Sequence, residues 1–298
     1  AETGAGVGQS TRVLEFDTAE AHFRFVGVEE DAVPSLFRGF SAPVRIIDDV
    51  PEADSLLLMA SDSDPFNRWE AARRYTLKIL LDMADALVSG EVPHVSARFI
   101  EAVRSILLDD SLGPAFRALV LALPAERDIG LEMEVIRVEP IHKARKLLQK
   151  SVGASLSAEF EALYGTLKSN EPYSPDAAPA GKRALRNQAL SWLSATGQEI
   201  SQGLAATQFE MSDNMTDTMA ALQVITHQEG EAREACLGAF YERWKGEPTV
   251  IDKWLQLEAT SSVAQTFDRV RELTEHEAFS LDSPNRVRAL LVAFGYNN

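Results

Sequence analysis

The chain contains 298 residues with a mass of 32.7 kDa, and 45% of them are hydrophobic while 25% are charged. This composition is typical of a globular protein and excludes disorder along the whole chain. Because 45 acidic side chains outnumber 29 basic ones, the net charge of -16 offers no basic footprint for phosphate groups, and we expect no nucleic-acid partner.

The cellular location is predicted from two features that the sequence lacks, a membrane-spanning apolar run and a signal peptide. No apolar run approaches the roughly 18 residues that a bilayer requires, and the start has neither the basic nor the apolar region of a signal peptide. We therefore expect no membrane partner and a cytoplasmic location. The single Cys236 lies in an apolar run and is interpreted as a small buried side chain.

The first part of the chain has the pattern of short strands. Residues 1–12 are predicted to be a flexible tail. Residues 13–60 are predicted to be part of a β-sandwich domain, because runs of β-branched and aromatic residues alternate there with acidic turns. Residues 1–64 hold 13 acidic and 4 basic side chains, a bias that favours a domain boundary near residue 60. Three strands, at 13–16, 22–26 and 43–47, leave edges to be covered, so we expect a larger sandwich or a sheet docked on the helical part of the chain.

Residues 61–298 are predicted to form an α-helical domain. Asp64 can cap the first helix and Pro65 suits its first position, while Gly90 and Pro93 end it. Further helices are predicted at about 97–109, 114–122, 130–150, 157–168, 182–195, 198–209, 213–227, 231–244, 249–259, 262–274 and 284–294, with a Pro-rich loop over 171–181.

Short loops between helices of this length predict an irregular α-superhelix of solenoid-like helix pairs without a fixed repeat. The predicted fold class is therefore mainly α, preceded by a short β-sandwich segment.

Known catalytic signatures are not found in the sequence. None of the five histidines begins the H-E-x-x-H pattern that holds zinc on one helical face. The partial G-x-S-x-G match at 39–43 ends in proline and is interpreted as a turn. The residues therefore predict no catalytic group and no metal ligand in this chain.

Two arginines near the start of the last predicted helix call for an anion. Ser283 and Pro284 open that helix, which brings Arg286 and Arg288 to its first turn. Cations there oppose the helix dipole by roughly 0.3–1 kcal/mol each. The compensating anion is either internal, such as Asp282 or a neighbouring carboxylate, or the carboxylate of a bound substrate.

Five uncommon strings occur in one order along the chain: 37–44 (FRGFSAPV), 64–71 (DPFNRWEA), 214–217 (NMTD), 252–254 (DKW) and 283–288 (SPNRVR). In this order and spacing they resemble the C-terminal half of bacterial aminopeptidase N, a family of zinc-dependent gluzincin exopeptidases. The resemblance runs from about residue 13 to the end of the chain.

The resemblance implies a parent enzyme that removes N-terminal residues from peptides with zinc held by H-E-x-x-H and a downstream glutamate. In the family those residues precede the part that this chain resembles. The chain is therefore expected to be a non-catalytic C-terminal fragment that binds no zinc itself, whose partners are peptide substrates and the missing N-terminal catalytic domain. The family's final helices continue further, so the helical domain is expected to be truncated at its end.

In the family the helical domain forms the lid and wall of the substrate cavity. The family's substrate-channel arginine falls on Arg288, which implies a contact with the peptide beyond the scissile bond, and Arg286 is the second choice. The other expected substrate-binding residues are Asn285, Asp213, Asn214 and Lys253. A helix cap for Asp213 and a solvated or salt-bridged role for Lys253 are the structural alternatives.

A second function is compatible with the helical pattern. A free-standing α-solenoid could bind a peptide or protein on its concave face. Such a module would have polar capping helices at both ends, whereas a part of an enzyme would expose an apolar patch where the catalytic domain docks.

Overall fold

The computed structural model describes residues 11–27, 32–44, 46–47, 49–169 and 171–297. The predicted flexible tail over 1–12 lies outside these residues except for its last two positions. Along the described part the helices are α1 (Glu52–Ser61), α2 (Pro65–Val88), α3 (Ala97–Leu108), α4 (Pro114–Val120), α5 (Glu126–Gly130), α6 (Val138–Ser155), α7 (Ser157–Thr166), α8 (Ala177–Ser194), α9 (Glu199–Met211), α10 (Met215–Thr226), α11 (Glu231–Trp244), α12 (Pro248–Ala259), α13 (Thr266–Thr274), α14 (Pro284–Val287) and α15 (Ala293–Asn297).

A π-helical turn at Arg288–Val292 joins α14 to α15. These three pieces, 284–297, are referred to together as the final helix. Successive helices pack on near neighbours in the chain: α1 on α2, α7 on α8, α9 on α10, and α12 on the final helix. This arrangement confirms the predicted irregular, solenoid-like stack of helix pairs.

The N-terminal segment differs from its prediction. Among the described residues between 11 and 47 there is a single-turn 3-10 helix at Arg38–Phe40 but no β-strand. The strands predicted at 13–16 and 22–26 are thus not formed in this chain, because a strand without a partner leaves its backbone groups unpaired. Phe16 and Phe25 are accordingly exposed. The third predicted strand includes Arg45, which lies outside the described residues.

The start of α2 confirms the local prediction. The Asp64 carboxylate accepts a hydrogen bond of 2.9 Å from the Asn67 backbone N–H, and Pro65 occupies the first helical position. Three other helices begin well away from their predicted starts, and one of them is α13, which begins at Thr266. α6 begins only at Val138, and α8 begins as early as Ala177, because a proline in the first turn of a helix removes no intrahelical hydrogen bond.

The core consists of two connected groups of buried side chains. The larger group lies between α2, α3, α6, α7 and α8, and includes Leu80, Ile106 and Leu148, each fully buried. The smaller group lies between α11, α12, α13 and the final helix, and is centred on Trp254 and Leu290. Since the second group holds the final helix, it positions the predicted arginines. Among the described helices none is both long and apolar enough to cross a bilayer.

Candidate functional site

Arg286 joins the first turn of the final helix to the first turn of α12. Its Nη1 donates to the Asp252 carboxylate and, at 2.7 Å, to the backbone carbonyl of Pro248. Both side chains of the ion pair are largely buried, with 15% of Arg286 and 23% of Asp252 exposed. Asp252 is therefore the internal carboxylate that balances the positive charge of Arg286, a choice that the sequence did not decide.

Arg288, Lys253 and Asn285 are exposed at the same junction. The side chains of Arg288 and Lys253 form no ion pair and no hydrogen bond among the described residues. Arg288 begins the π-helical turn, in which the Ala293 N–H donates to the Arg288 carbonyl. Single π-turns within α-helices occur frequently at functional sites. Within the part of the chain that the structure describes, a guanidinium and an ammonium group thus stay without a partner on two helices that pack together.

An open cleft of about 490 Å³ lies beside this junction, and Tyr241, Glu277, Phe279, Ser283 and Arg286 contribute to its walls. The Tyr241 hydroxyl donates to Glu277 at 2.9 Å, and burial followed by this hydrogen bond raises the pKa of Tyr241. The charged groups that line the cleft are paired within the protein. The cleft therefore offers aromatic surface and shape to a ligand. Lys253 and Arg288, which have no partner among the described residues, follow the wall residues Ile251 and Arg286 by two positions in sequence.

Asp213 and Asn214 lie at a different corner of the molecule, where α9 turns into α10. Asn214, not Asp213, caps α10, because its side-chain oxygen accepts a 3.0 Å hydrogen bond from the Asp217 N–H. The exposed Asp213 accepts from the side chain of Asn214 at 3.1 Å and from the Tyr173 N–H at 3.1 Å. These hydrogen bonds lower the pKa of Asp213. Asp213 therefore ties the loop before α8 to the start of α10.

A buried polar network lies beneath that corner. The Asp217 carboxylate accepts from Asn187 at 2.8 Å and from Asn214 at 3.0 Å. Gln208 donates to Asn187 at 2.8 Å and accepts at 2.9 Å from the hydroxyl of Tyr164. The network connects α7, α8, α9 and α10. No hydrogen bond or ion pair among the described residues joins it to Arg286, so the predicted site residues fall into two separate groups.

The fit of the chain to zinc can be tested from the side chains alone. Within the described ranges, no three His, Cys, Asp or Glu side chains are arranged to hold a metal ion. The described residues therefore do not fit a zinc centre, and none of them is given a role in zinc chemistry.

Asp252 is the residue of this site that the sequence analysis missed. Asp252 stands in the string 252–254, which is one of those that carry the resemblance, but it lies 34 positions before Arg286 in the chain. Asp282 is the carboxylate closest to Arg286 in sequence. Only the packing of α12 against the final helix selects between the two. The requirement for an anion near a first-turn arginine was the signal that could have found it.

Comparison with known proteins gives concordant matches along the chain. Residues 52–298 match the family described as a domain of unknown function (DUF3458_C) with ARM repeats, and residues 1–49 match a domain of unknown function (DUF3458) described as having an Ig-like fold.

Aminopeptidase N of Caulobacter vibrioides is 35% identical over 291 residues, which cover 97% of this chain and 33% of that protein. Aminopeptidase N of Escherichia coli is 30% identical over 286 residues, which cover 96% of this chain and 33% of that protein. The crystal structure of Legionella pneumophila aminopeptidase A in complex with aspartic acid is 28% identical and superposes with a TM-score of 0.80 over 92% of this chain and 33% of that chain.

The chain thus spans about a third of the length of the relatives it matches. The resemblance to the C-terminal region of aminopeptidase N is confirmed, with a helical fold in common. The chain belongs to the DUF3458_C family of ARM-repeat domains.

Proposed function

We propose that the chain is the non-catalytic helical part of a zinc-dependent aminopeptidase and that it forms the lid and wall of the cavity that receives peptides. The observation that carries the proposal is the match of 97% of this chain to a third of aminopeptidase N. The zinc and the catalytic groups would belong to the remaining part of such an enzyme. That catalytic part is then the main protein partner of this chain.

Arg288 is the residue that we propose to contact the peptide. Its guanidinium is exposed and has no partner among the described residues, so it can donate to a peptide carbonyl or to a C-terminal carboxylate. Such a bond orients the substrate without taking part in breaking the scissile bond. Lys253 and Asn285, exposed on the same two helices, are proposed as flanking contacts.

The other predicted residues have weaker support. Arg286 already donates to Asp252 and Pro248, so its contribution to a peptide would be through the edge of its guanidinium. Asp213 is exposed and can line the cavity through its carboxylate, while Asn214 holds that carboxylate in place.

The first experiment identifies the natural protein. An antibody raised against this chain is used to detect the source protein in a cell extract, and the purified protein is assayed for chelator-sensitive release of N-terminal amino acids. We expect an active protein about three times the mass of the 32.7 kDa chain, since the chain covers 33% of its relatives. An inactive protein of about 32.7 kDa would contradict the proposal and favour a free-standing peptide-binding solenoid.

The second experiment tests Arg288 in that natural protein. Arg288→Ala is expected to raise KM for peptides by about tenfold, or about 1.4 kcal/mol of binding, with zinc content and kcat unchanged. Arg271→Ala is the matched control, because Arg271 is 72% exposed on α13 and pairs with Asp268, which is also exposed. Unchanged kinetics across peptides of different length would remove Arg288 from the site.

A further inference from the structure

We propose that Asp252 is a positioning residue that fixes the direction of Arg288 through its ion pair with Arg286. The inference rests on the proposed function, because it assigns Asp252 a role in peptide binding without contact with the peptide. It is carried by the geometry of the junction between α12 and the final helix.

The ion pair fixes the first turn of the final helix. α14 has no acidic residue in its first turn, so nothing within the helix compensates the positive end of its dipole or the charge of Arg286. Asp252 supplies this charge from α12, and the Pro248 carbonyl accepts a second bond from the same Nη1 of Arg286. Two acceptors on one helix therefore hold one side chain of the other.

Fixing Arg286 also fixes Arg288. With about 3.6 residues per turn, side chains two positions apart on a helix point about 200° apart. When Arg286 is directed at α12, Arg288 is therefore directed away from it, which agrees with the exposure of Arg288. A rotation or fraying of the first turn would move both side chains together.

The packing of the turn that contains Leu290 does not by itself fix the orientation of the first turn of the final helix. Leu290 is fully buried against the core and anchors the middle of the final helix, but the intervening π-turn begins at Arg288. A π-turn has wider hydrogen-bonded rings than an α-helix and is a site at which helices deform. The segment before it is thus oriented by the bonds that Arg286 donates to Asp252 and to the Pro248 carbonyl.

Losing the pair should weaken peptide binding, because an arginine that must be ordered during binding contributes less affinity than one that is already oriented. The test uses the natural protein and the variants Asp252→Asn, Asp252→Glu, Arg288→Ala and the double variant Asp252→Asn with Arg288→Ala. Asp252→Asn is expected to raise KM about fivefold with kcat unchanged, and Asp252→Glu is expected to recover most of this loss. In the Arg288→Ala background, Asp252→Asn should have no further effect.

Additive effects of the two substitutions, or a fall in kcat at unchanged KM, would overturn the inference. Asp268→Asn is the control, because it removes a carboxylate from an exposed pair on α13 and is expected to leave KM unchanged.

Hydrogen exchange measured on the same protein distinguishes this inference from the proposed function. Asp252→Asn should accelerate amide exchange by about tenfold over 284–292 and leave α2 and α6 unchanged, whether or not the protein cleaves peptides. Unchanged exchange there would overturn the positioning role even in an active enzyme. If exchange increases but the wild-type protein cleaves no peptide, the proposed function fails, and the role of Asp252 in peptide binding fails with it.

Discussion

Glu258 of α12 accepts a 2.7 Å hydrogen bond from Arg233 of α11, and both side chains are almost completely buried. The second carboxylate oxygen of Glu258 accepts two bonds from Arg269 of α13, at 3.0 and 3.2 Å. One buried carboxylate thus joins three consecutive helices of the smaller core group, and its own helix, α12, also carries Asp252.

Replacing Glu258 should destabilise this end of the molecule. Glu258→Gln removes the negative charge from a buried pair but leaves Arg233 its exposed partner Glu234, so the free energy of unfolding should fall by about 1–3 kcal/mol. Urea denaturation measures the loss. Asp268→Asn, which affects only an exposed pair with Arg271, should change the free energy by less than about 0.5 kcal/mol. A loss below about 1 kcal/mol for Glu258→Gln would mean that water reaches Arg233 once the carboxylate is gone.

Features set by neighbouring residues could be predicted from the sequence. Asp64 and Pro65 define the start of α2 by cap chemistry within four residues, and the structure confirms that start. The alternation of helices and short loops likewise predicted the helical stack. The strings that carry the resemblance led to the family, and the comparisons confirm it.

Features set by contacts between distant residues could not be predicted. Helix α1 lies where the apolar run 56–58 was assigned to the sandwich segment, and its packing on α2 is what makes it helical. The burial of Arg68 on α2 is another such feature. Arg68 is buried because its Nε donates to the Met59 carbonyl at 3.0 Å and its Nη2 to Asp109 at 3.3 Å. The pairing of Arg286 with Asp252 belongs to the same class.

Alkaline pH should weaken the attachment of α1 to α2. The Tyr75 hydroxyl donates to Glu52 at 2.8 Å, and burial followed by this bond raises the pKa of Tyr75 to about 12. Since the ordinary pKa is 10.0, the folded chain keeps a proton that the unfolded chain loses between these values. The stabilisation is therefore complete below pH 10 and is lost as the pH rises to 12.

Tyr75→Phe tests this dependence. The variant should be less stable than the wild-type chain below pH 10, and the difference should shrink as the pH approaches 12, which urea denaturation across that range measures. A difference that stays constant over the range would show that the hydroxyl titrates normally in the folded state.

Two helical glycines should respond in opposite directions to alanine. A Cβ at Gly153 of α6 would lie 2.4 Å from the Trp192 carbonyl oxygen, so Gly153→Ala must push α6 and α8 apart. Such overpacking costs about 1–3 kcal/mol. Gly238 in the middle of α11 has no atom within 4 Å of the same position, so Gly238→Ala should stabilise the chain by about 0.5–1 kcal/mol. Thermal unfolding of the two variants compares them directly, and equal shifts in Tm would contradict the packing of α6 on α8.

The segment before α1 is held on the helical stack by hydrogen bonds that include two to one buried carboxylate. Asp62, which comes directly after α1, accepts from the Ser35 hydroxyl at 2.6 Å and from Arg38 at 2.9 Å, while Asn67 of α2 donates to the Leu36 carbonyl at 2.6 Å. Only 1% of the Asp62 side chain is exposed, so its two bonds to the segment are shielded from water. The segment thus docks on the helical part of the chain, but its described residues do so without the expected sheet.

Asp62→Ala should release this segment and leave the helices folded. Trypsin cleaves after arginine only when the chain can leave its surface, and Arg38 is held by Asp62 and by a 2.8 Å bond to Ser63. Cleavage at Arg38 under native conditions should therefore accelerate by about tenfold in Asp62→Ala, because local opening sets the rate when the fold reforms faster than the protease cuts. Asp85→Ala, which removes an exposed carboxylate far along α2, should leave the rate unchanged. Equal cleavage rates in the two variants would show that the bonds left to the segment are sufficient to hold it. These are the bonds of Asn67 to Ser35 and Leu36, of Arg38 to Ser63, and of the Gly39 N–H to the Asp64 carboxylate.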